Sequence, residues 1–200
     1  STVYLKNYFQ SMQEHLSDNN KTLAIGALET IHNMEGSYNS FLYFNGKDIQ
    51  YYRKRHLVPF GEYFPVPDFL REWMEMNNLP SFDLMHGEKN QSLIKYNDDI
   101  NIAAAICYEI AFGSEQLHAF PEANLLINVS NDAWFGDSIA PHQHLQITRM
   151  RAIETGRPII RATNNGISAF INNKGKVMKK SGQFNYEILQ HSVYPRKGST

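Results

Sequence analysis

Four side chains in this sequence combine reactive chemistry with an apolar setting: Cys107, Lys54, Glu62 and Glu109. Cys107 closes the apolar run 100–106 and is followed at once by Tyr108-Glu109. The carboxyl end of a strand in an α/β protein is where ligands and chemistry usually sit. A cysteine there is either a nucleophile or a buried structural thiol, the commoner fate of a free cysteine. The first role needs a base or a cationic neighbour, because only the thiolate attacks. Lys54 lies in the cluster Arg53-Lys54-Arg55-His56, directly before Leu57-Val58-Pro59-Phe60-Gly61. Such a cluster is usually a solvated basic turn. Beside a rigid Pro/Gly loop, a lysine can instead steady an oxyanion. Glu62 sits between Phe60-Gly61 and Tyr63-Phe64, and Glu109 between Tyr108 and Ile110. Carboxylates in such surroundings are either paired with a cation or raised in pKa, and both states serve catalysis. A structural ion pair is the plainer alternative.

Other chemistries find less support. His142 and His144 resemble two ligands of a metal site, but spacing places no third, so no metal is expected. A Gly-x-Gly-x-x-Gly fingerprint, a phosphate loop and a Gly-x-Ser-x-Gly elbow are all missing, which speaks against nucleotide chemistry and serine hydrolysis. No cofactor is implied. With 19 basic against 20 acidic residues, the chain lacks the excess of a nucleic-acid binder, and its basic residues are not interleaved with aromatics. One cysteine excludes an internal disulfide and a cysteine-cluster metal site. The densest apolar stretch, 102–108, is far short of the roughly 18–20 residues that span a bilayer. The chain opens on Ser1, as a processed or excised piece would.

The elements that must position these residues follow from periodicity. Val3, Tyr4, Leu5, Tyr8, Phe9, Met12 and Leu16 place one apolar stripe on a helix over 3–19. Residues 23–28 read as a buried strand. Residues 38–45 and 48–53 read as a hairpin around Asn45-Gly46-Lys47, because Asn and Gly tolerate positive φ. The proline-rich stretch 57–67 is a loop of fixed path, and Asp68 can cap a helix over 69–77. Residues 78–91 read as loop. Strands are predicted at 92–96, 100–106, 125–129, 159–163, 167–172 and 176–180, with a helix over 141–154 closed by Gly156. Hairpins and strand–helix–strand units together predict a single α/β domain over 1–200, built on a mixed sheet with helices packed against it.

Five segments then match a known family in order. They are Tyr52-Arg53-Lys54-Arg55-His56-Leu57-Val58-Pro59-Phe60-Gly61-Glu62-Tyr63, Ile106-Cys107-Tyr108-Glu109, Asn128-Val129-Ser130-Asn131-Asp132-Ala133-Trp134-Phe135-Gly136, Arg149-Met150-Arg151-Ala152-Ile153-Glu154-Thr155-Gly156-Arg157-Pro158 and Arg161-Ala162-Thr163-Asn164-Asn165-Gly166-Ile167-Ser168. The chain resembles the carbon–nitrogen hydrolase (nitrilase) superfamily over roughly residues 22–198. The string His56 to Glu62 resembles its branch of acyltransferases that mature bacterial lipoproteins.

The resemblance implies an α-β-β-α sandwich, incomplete at its N-terminus, and a Glu–Lys–Cys triad. Cys107 falls on the nucleophile, Lys54 on the catalytic lysine, Glu62 and Glu109 on accessory carboxylates, and Tyr108 beside the nucleophile. Trp134, Phe135 and Asn131 are the candidate substrate contacts, and Trp134-Phe135 and the loop 59–67 either meet acyl chains or a bilayer or simply pack. The implied reaction moves a phospholipid acyl chain through a cysteine thioester to the N-terminal amine of a diacylglyceryl lipoprotein. The implied setting is the periplasmic side of a bacterial inner membrane, held there by parts outside this chain. The family's base glutamate sits in a Pro-Glu motif before the lysine. None of Glu14, Asp18, Glu29, Glu35 and Asp48 follows a proline, so the base is expected upstream of Ser1 and the isolated chain is expected to be inactive. A soluble amidase or nitrilase, or a non-catalytic fragment, are the alternatives.

Overall fold

A computed structural model describes residues 2–30, 36–46, 48–77 and 83–198. The predicted first helix is α1 (Thr2–Asp18), whose last turn buries Leu16. Strands β1 (Leu23–Thr30), β2 (Ser37–Phe44) and β3 (Ile49–Arg53) form an antiparallel meander, with Leu23 opposite Phe44 and Phe44 opposite Ile49. The hairpin predicted around Asn45-Gly46 is therefore present; its Lys47 lies outside the described residues. Gly46 has φ 84°, and a Cβ there would overlap Ser17, so the turn closes directly on the end of α1.

Helix α2 (Asp68–Met76) begins at Asp68 itself, one residue earlier than expected. The stretch read as loop contains β4 (Leu84–Met85), two residues pairing in parallel with Ser37 and Tyr38 of β2. So short a strand has no periodicity to detect. Residues 78–82 of that stretch lie outside the described residues.

A second sheet holds β5 (Ile94–Lys95), β6 (Asn101–Ile106), β7 (Leu125–Asn131), β8 (Ile159–Asn164), β9 (Ala169–Ile171) and β10 (Val177–Lys180), in the order β10-β9-β8-β7-β6-β5. Its centre, β6-β7-β8, is parallel, and the outer pairs are antiparallel. Buried on both faces, β6 and β7 read as continuous apolar runs, as parallel strands do. Between the parallel strands come the short α3 (Gly113–Leu117), which sequence periodicity missed, and α4 (Ala140–Thr155). Pro141 stands in the first turn of α4, and Gly156 ends it in the left-handed conformation at φ 61°.

The mixed sheet read from the residue pattern is thus two sheets, as the α-β-β-α sandwich implied by the resemblance requires. Residue patterns give strands but not their partners. Phe41, Tyr43 and Tyr52 from the first sheet pack against Ile102, Ala104, Ile106, Ile127 and Val129 from the second, so the two sheets lie face to face. On the far side of the second sheet, Ala103, Ala105, Leu126 and Ile159 meet Ile110, Leu145 and Ala152, the last two from α4. Among the described residues, no helix is long and apolar enough to cross a membrane.

Candidate active site

Lys54 leaves the end of β3 in the first sheet, and Cys107 leaves the end of β6 in the second. Both sit at the boundary between the sheets. Lys54 is not a solvated turn residue; its side chain is fully buried, and Nζ lies 2.6 Å from Oε2 of Glu62. Glu62 is aimed by two further donors, Asn39 Nδ2 at 2.7 Å and the Val58 amide at 2.8 Å. The Pro/Gly loop does this by folding back: the Gly61 and Glu62 amides both donate to the Val58 carbonyl, and Phe60 takes φ 61°.

The backbone of Lys54 is clamped on both sides, its amide donating to Asn39 O and its carbonyl accepting from Gly87 N, each at 2.8 Å. A Cβ at Gly87 would overlap the Arg53 carbonyl oxygen. Gly87→Ala is therefore expected to cost roughly 1–3 kcal/mol by overpacking. A thermal melt of the variant should show a midpoint several degrees lower, and an unchanged midpoint would contradict the clamp.

Glu109 links the two sheets. Its Oε1 accepts from Tyr52 Oη at 3.0 Å, Arg55 N at 2.7 Å and His56 N at 3.2 Å, while Oε2 accepts from Ile106 N at 2.8 Å. One carboxylate thereby ties the residues on either side of Lys54 to the residue before Cys107. Burial pushes the Glu109 carboxyl above its ordinary value, opposed by the backbone N–H groups and by the charge of Lys54. The phenol of Tyr52 is raised as well, first by burial and then by the Glu109 charge. Of the two states expected for these glutamates, Glu62 shows the paired one and Glu109 the buried, raised one.

Cys107 is partly exposed and opens the 3₁₀ turn Cys107–Ala111 with φ 53°, a left-handed conformation that a non-glycine residue seldom adopts. Tyr108 is 44% exposed, and its ring stands edge-on to Phe112, which stacks on His56. Asn131 is the last residue of β7, and Trp134 and Phe135 lie just beyond it in the turn Asp132–Phe135. Asn131 accepts from the Ala133 amide at 3.2 Å and so caps that turn. Trp134 is 80% exposed, and Phe135 presents its ring edge to His144.

Sequence reasoning missed a second polar group behind Cys107. Asp132, His144, Arg161, Asn128 and Thr148 are all buried. Of the two histidines that resemble a ligand pair or a helix surface in the sequence, His142 is exposed, but His144 is buried. Among the described residues, no three His, Cys, Asp or Glu side chains converge on a metal site. The signal that could have exposed this group was Arg161, a guanidinium in the middle of the predicted strand 159–163.

The arrangement is a thiol at a left-handed elbow and a buried lysine–glutamate pair, with the Glu109 carboxylate bonded to the backbone next to each. It suits attack on a carbonyl carbon with a cation near the developing oxyanion.

Comparison with known proteins agrees with the layered architecture. The family model described as carbon-nitrogen hydrolase matches residues 1–196. The apolipoprotein N-acyltransferase of Nitrosomonas europaea is 40% identical over 195 residues, covering 98% of this chain and 39% of that protein. That of Pasteurella multocida is 39% identical over 206 residues, again covering 98% of this chain and 39% of that protein. The chain therefore spans about two-fifths of the length of these curated relatives. A solved carbon-nitrogen hydrolase from Helicobacter pylori superposes with a TM-score of 0.64 at 17% identity, covering 90% of this chain and 63% of that one. A Nesterenkonia amidase mutant, solved with the acetamide moiety of fluoroacetamide added covalently at its active-site cysteine, superposes with a TM-score of 0.61 at 16% identity, covering 94% of this chain and 63% of that one. These solved structures share the expected sandwich of two sheets between helices. Matched by the family model over nearly its whole length and folded as such proteins fold, this chain belongs to the carbon–nitrogen hydrolase family.

Proposed function

We propose that the protein containing this chain is an apolipoprotein N-acyltransferase and that Cys107 carries the acyl group. The observation that carries this reading is the buried Lys54–Glu62 pair, tied through Glu109 to the Cys107 turn. The names of the relatives at about 40% identity support transfer to a lipoprotein over hydrolysis of a small amide.

In the first half-reaction, the Cys107 thiolate attacks the ester carbonyl of a phospholipid. Lys54 faces the oxyanion, with Glu62 holding the ammonium in place. The carbon–oxygen bond breaks, the lysophospholipid leaves with the proton taken from the thiol, and a thioester remains. In the second, the free α-amine of a diacylglyceryl lipoprotein attacks the thioester. The carbon–sulfur bond breaks, an amide forms, and the amine proton returns to sulfur. The residue that shuttles these protons is assigned to the Pro-Glu glutamate implied by the family resemblance; no proline precedes Lys54 in these 200 residues. Trp134, Phe135 and Asn131, on the exposed turn at the same strand ends, are assigned to substrate contact, and Tyr108 to the rim beside the thiol. Membrane attachment and a periplasmic setting are assigned to the longer protein.

The test is direct. Incubate the full protein with phospholipid alone, digest it, and weigh the peptide carrying Cys107. An acyl mass that hydroxylamine removes is expected. No adduct there, together with undiminished transfer by Cys107→Ala, would overturn the assignment. Lipid-independent hydrolysis of small amides would move it to an amidase.

A further inference from the structure

The left-handed backbone of Cys107 has to be held. A non-glycine residue at positive φ costs on the order of 1–2 kcal/mol and persists only where its surroundings over-determine it. The carbonyl oxygen of Cys107 lies 3.1 Å from Nε2 of His144, which approaches from α4. The other ring nitrogen, Nδ1, lies 3.2 Å from Oδ1 of Asp132. Asp132 in turn accepts from Ser130 Oγ at 2.6 Å and from Arg161 Nη2 at 2.8 Å. Arg161 Nη1 donates to Asn128 Oδ1 and to Thr148 Oγ1, and Asn128 Nδ2 donates to the carbonyl of Ala105, two residues before Cys107. The chain of bonds therefore starts at the backbone just before the nucleophile, passes through β7, β8 and α4, and returns to the nucleophile's own carbonyl.

Three further observations mark this as a built arrangement. Asp132, His144 and Arg161 are 1%, 6% and 2% exposed. The carboxyl of Asp132 is desolvated, yet its bonds from His144 and Ser130 and the charge of Arg161 hold it below the ordinary carboxylate value, so it stays an acceptor. Gly166 backs directly onto it, where a Cβ would overlap the Asp132 carboxylate. Asp132 therefore has little room to move, and neither does the imidazole that it orients. This is the logic by which a carboxylate fixes the ring of a working histidine.

We propose that His144 is a positioning residue for the nucleophile: with an acceptor at each ring nitrogen, Asp132 Oδ1 and the Cys107 carbonyl, the ring carries a proton on both, and, oriented by Asp132 and Arg161, it donates from Nε2 to the carbonyl of Cys107 and fixes the left-handed elbow. The proposal rests on Cys107 being the nucleophile, as assigned above. His144 touches no substrate in this scheme. It acts through the peptide of Cys107, whose orientation decides where the sulfur points.

The experiment compares His144→Ala and His144→Gln in the full protein, with two readouts. One is steady-state acyl transfer. The other is the rate at which iodoacetamide alkylates Cys107, which needs no acyl chemistry. His144→Ala should lower kcat about a hundredfold, the size of effect expected from a misplaced nucleophile, with KM for the lipoprotein within twofold. His144→Gln, which rebuilds one donor toward the carbonyl, should recover at least a tenth of the wild-type kcat. Alkylation should follow the same order. Wild-type kcat and alkylation in a folded His144→Ala would overturn the proposal, and so would an equal loss of folding in both variants, which would make His144 a packing residue. If the wild-type protein forms no thioester, the proposed function fails, while the alkylation order still decides the role of His144.

Discussion

Replacing Lys54 with methionine is expected to remove acyl transfer while leaving a foldable protein. Losing one preorganised donor to an oxyanion typically costs about 10²–10³ in kcat. Lys54 is the buried cation of the proposed site, so the loss should reach that range or exceed it. Stability should fall too, because breaking a buried pair strands the partner, at roughly 3–5 kcal/mol. Here the figure should sit at the low end, since the Glu62 side chain keeps 14% of its surface in water. It also retains its bonds from Asn39 and Val58. The double variant Lys54→Met with Glu62→Gln separates the two effects. It should regain most of the stability and none of the activity. Thermal melts and transfer assays on the three variants provide the check. If stability and activity recover together, Lys54 is only a structural partner of Glu62.

Glu109→Ala should produce the largest loss of stability among single changes at this site. The substitution orphans the amides of Arg55, His56 and Ile106 and the hydroxyl of Tyr52. Each buried donor left unmade costs about 1–3 kcal/mol, and partial relaxation brings the sum to roughly 3–5 kcal/mol. For a domain of this size, about 1 kcal/mol moves the melting midpoint by roughly 2–4 °C, so a drop of about 6–20 °C is expected. Glu109→Gln should be intermediate, because it keeps one acceptor oxygen and turns an amide toward donors. A Glu109→Ala protein that melts within a few degrees of wild type would show that the carboxylate does not hold the sheets in register.

Much of this site was legible in the sequence because its parts are local. Cys107 announces itself by following an apolar strand, and the Asn45-Gly46 turn by its tolerance of positive φ. Lys54 and Glu62 are eight residues apart on one folded-back loop, so their pairing follows from a short stretch of chain. What stayed hidden depends on partners far apart in sequence. The division into two sheets came from the family resemblance and not from the residue pattern, because it is set by which apolar faces meet, and Phe41 carries no mark saying that it will face Ile106. The ring of Asp132, His144 and Arg161 joins positions up to 29 residues apart, and each alone looks like an ordinary surface-type residue. Glu109 looked like one carboxylate of a catalytic set. Only the folded chain shows it gathering donors from positions 52, 55, 56 and 106.

Lys54 and Cys107 enter from different layers, and that placement has a safety consequence. A chain with only the parallel layer formed would hold the thiol's elbow without a lysine beside it. A chain with only the meander formed would hold the lysine–glutamate pair without a thiol. Neither half carries both parts of the proposed chemistry, so under that proposal acyl transfer is expected only from copies in which the two layers have closed on each other.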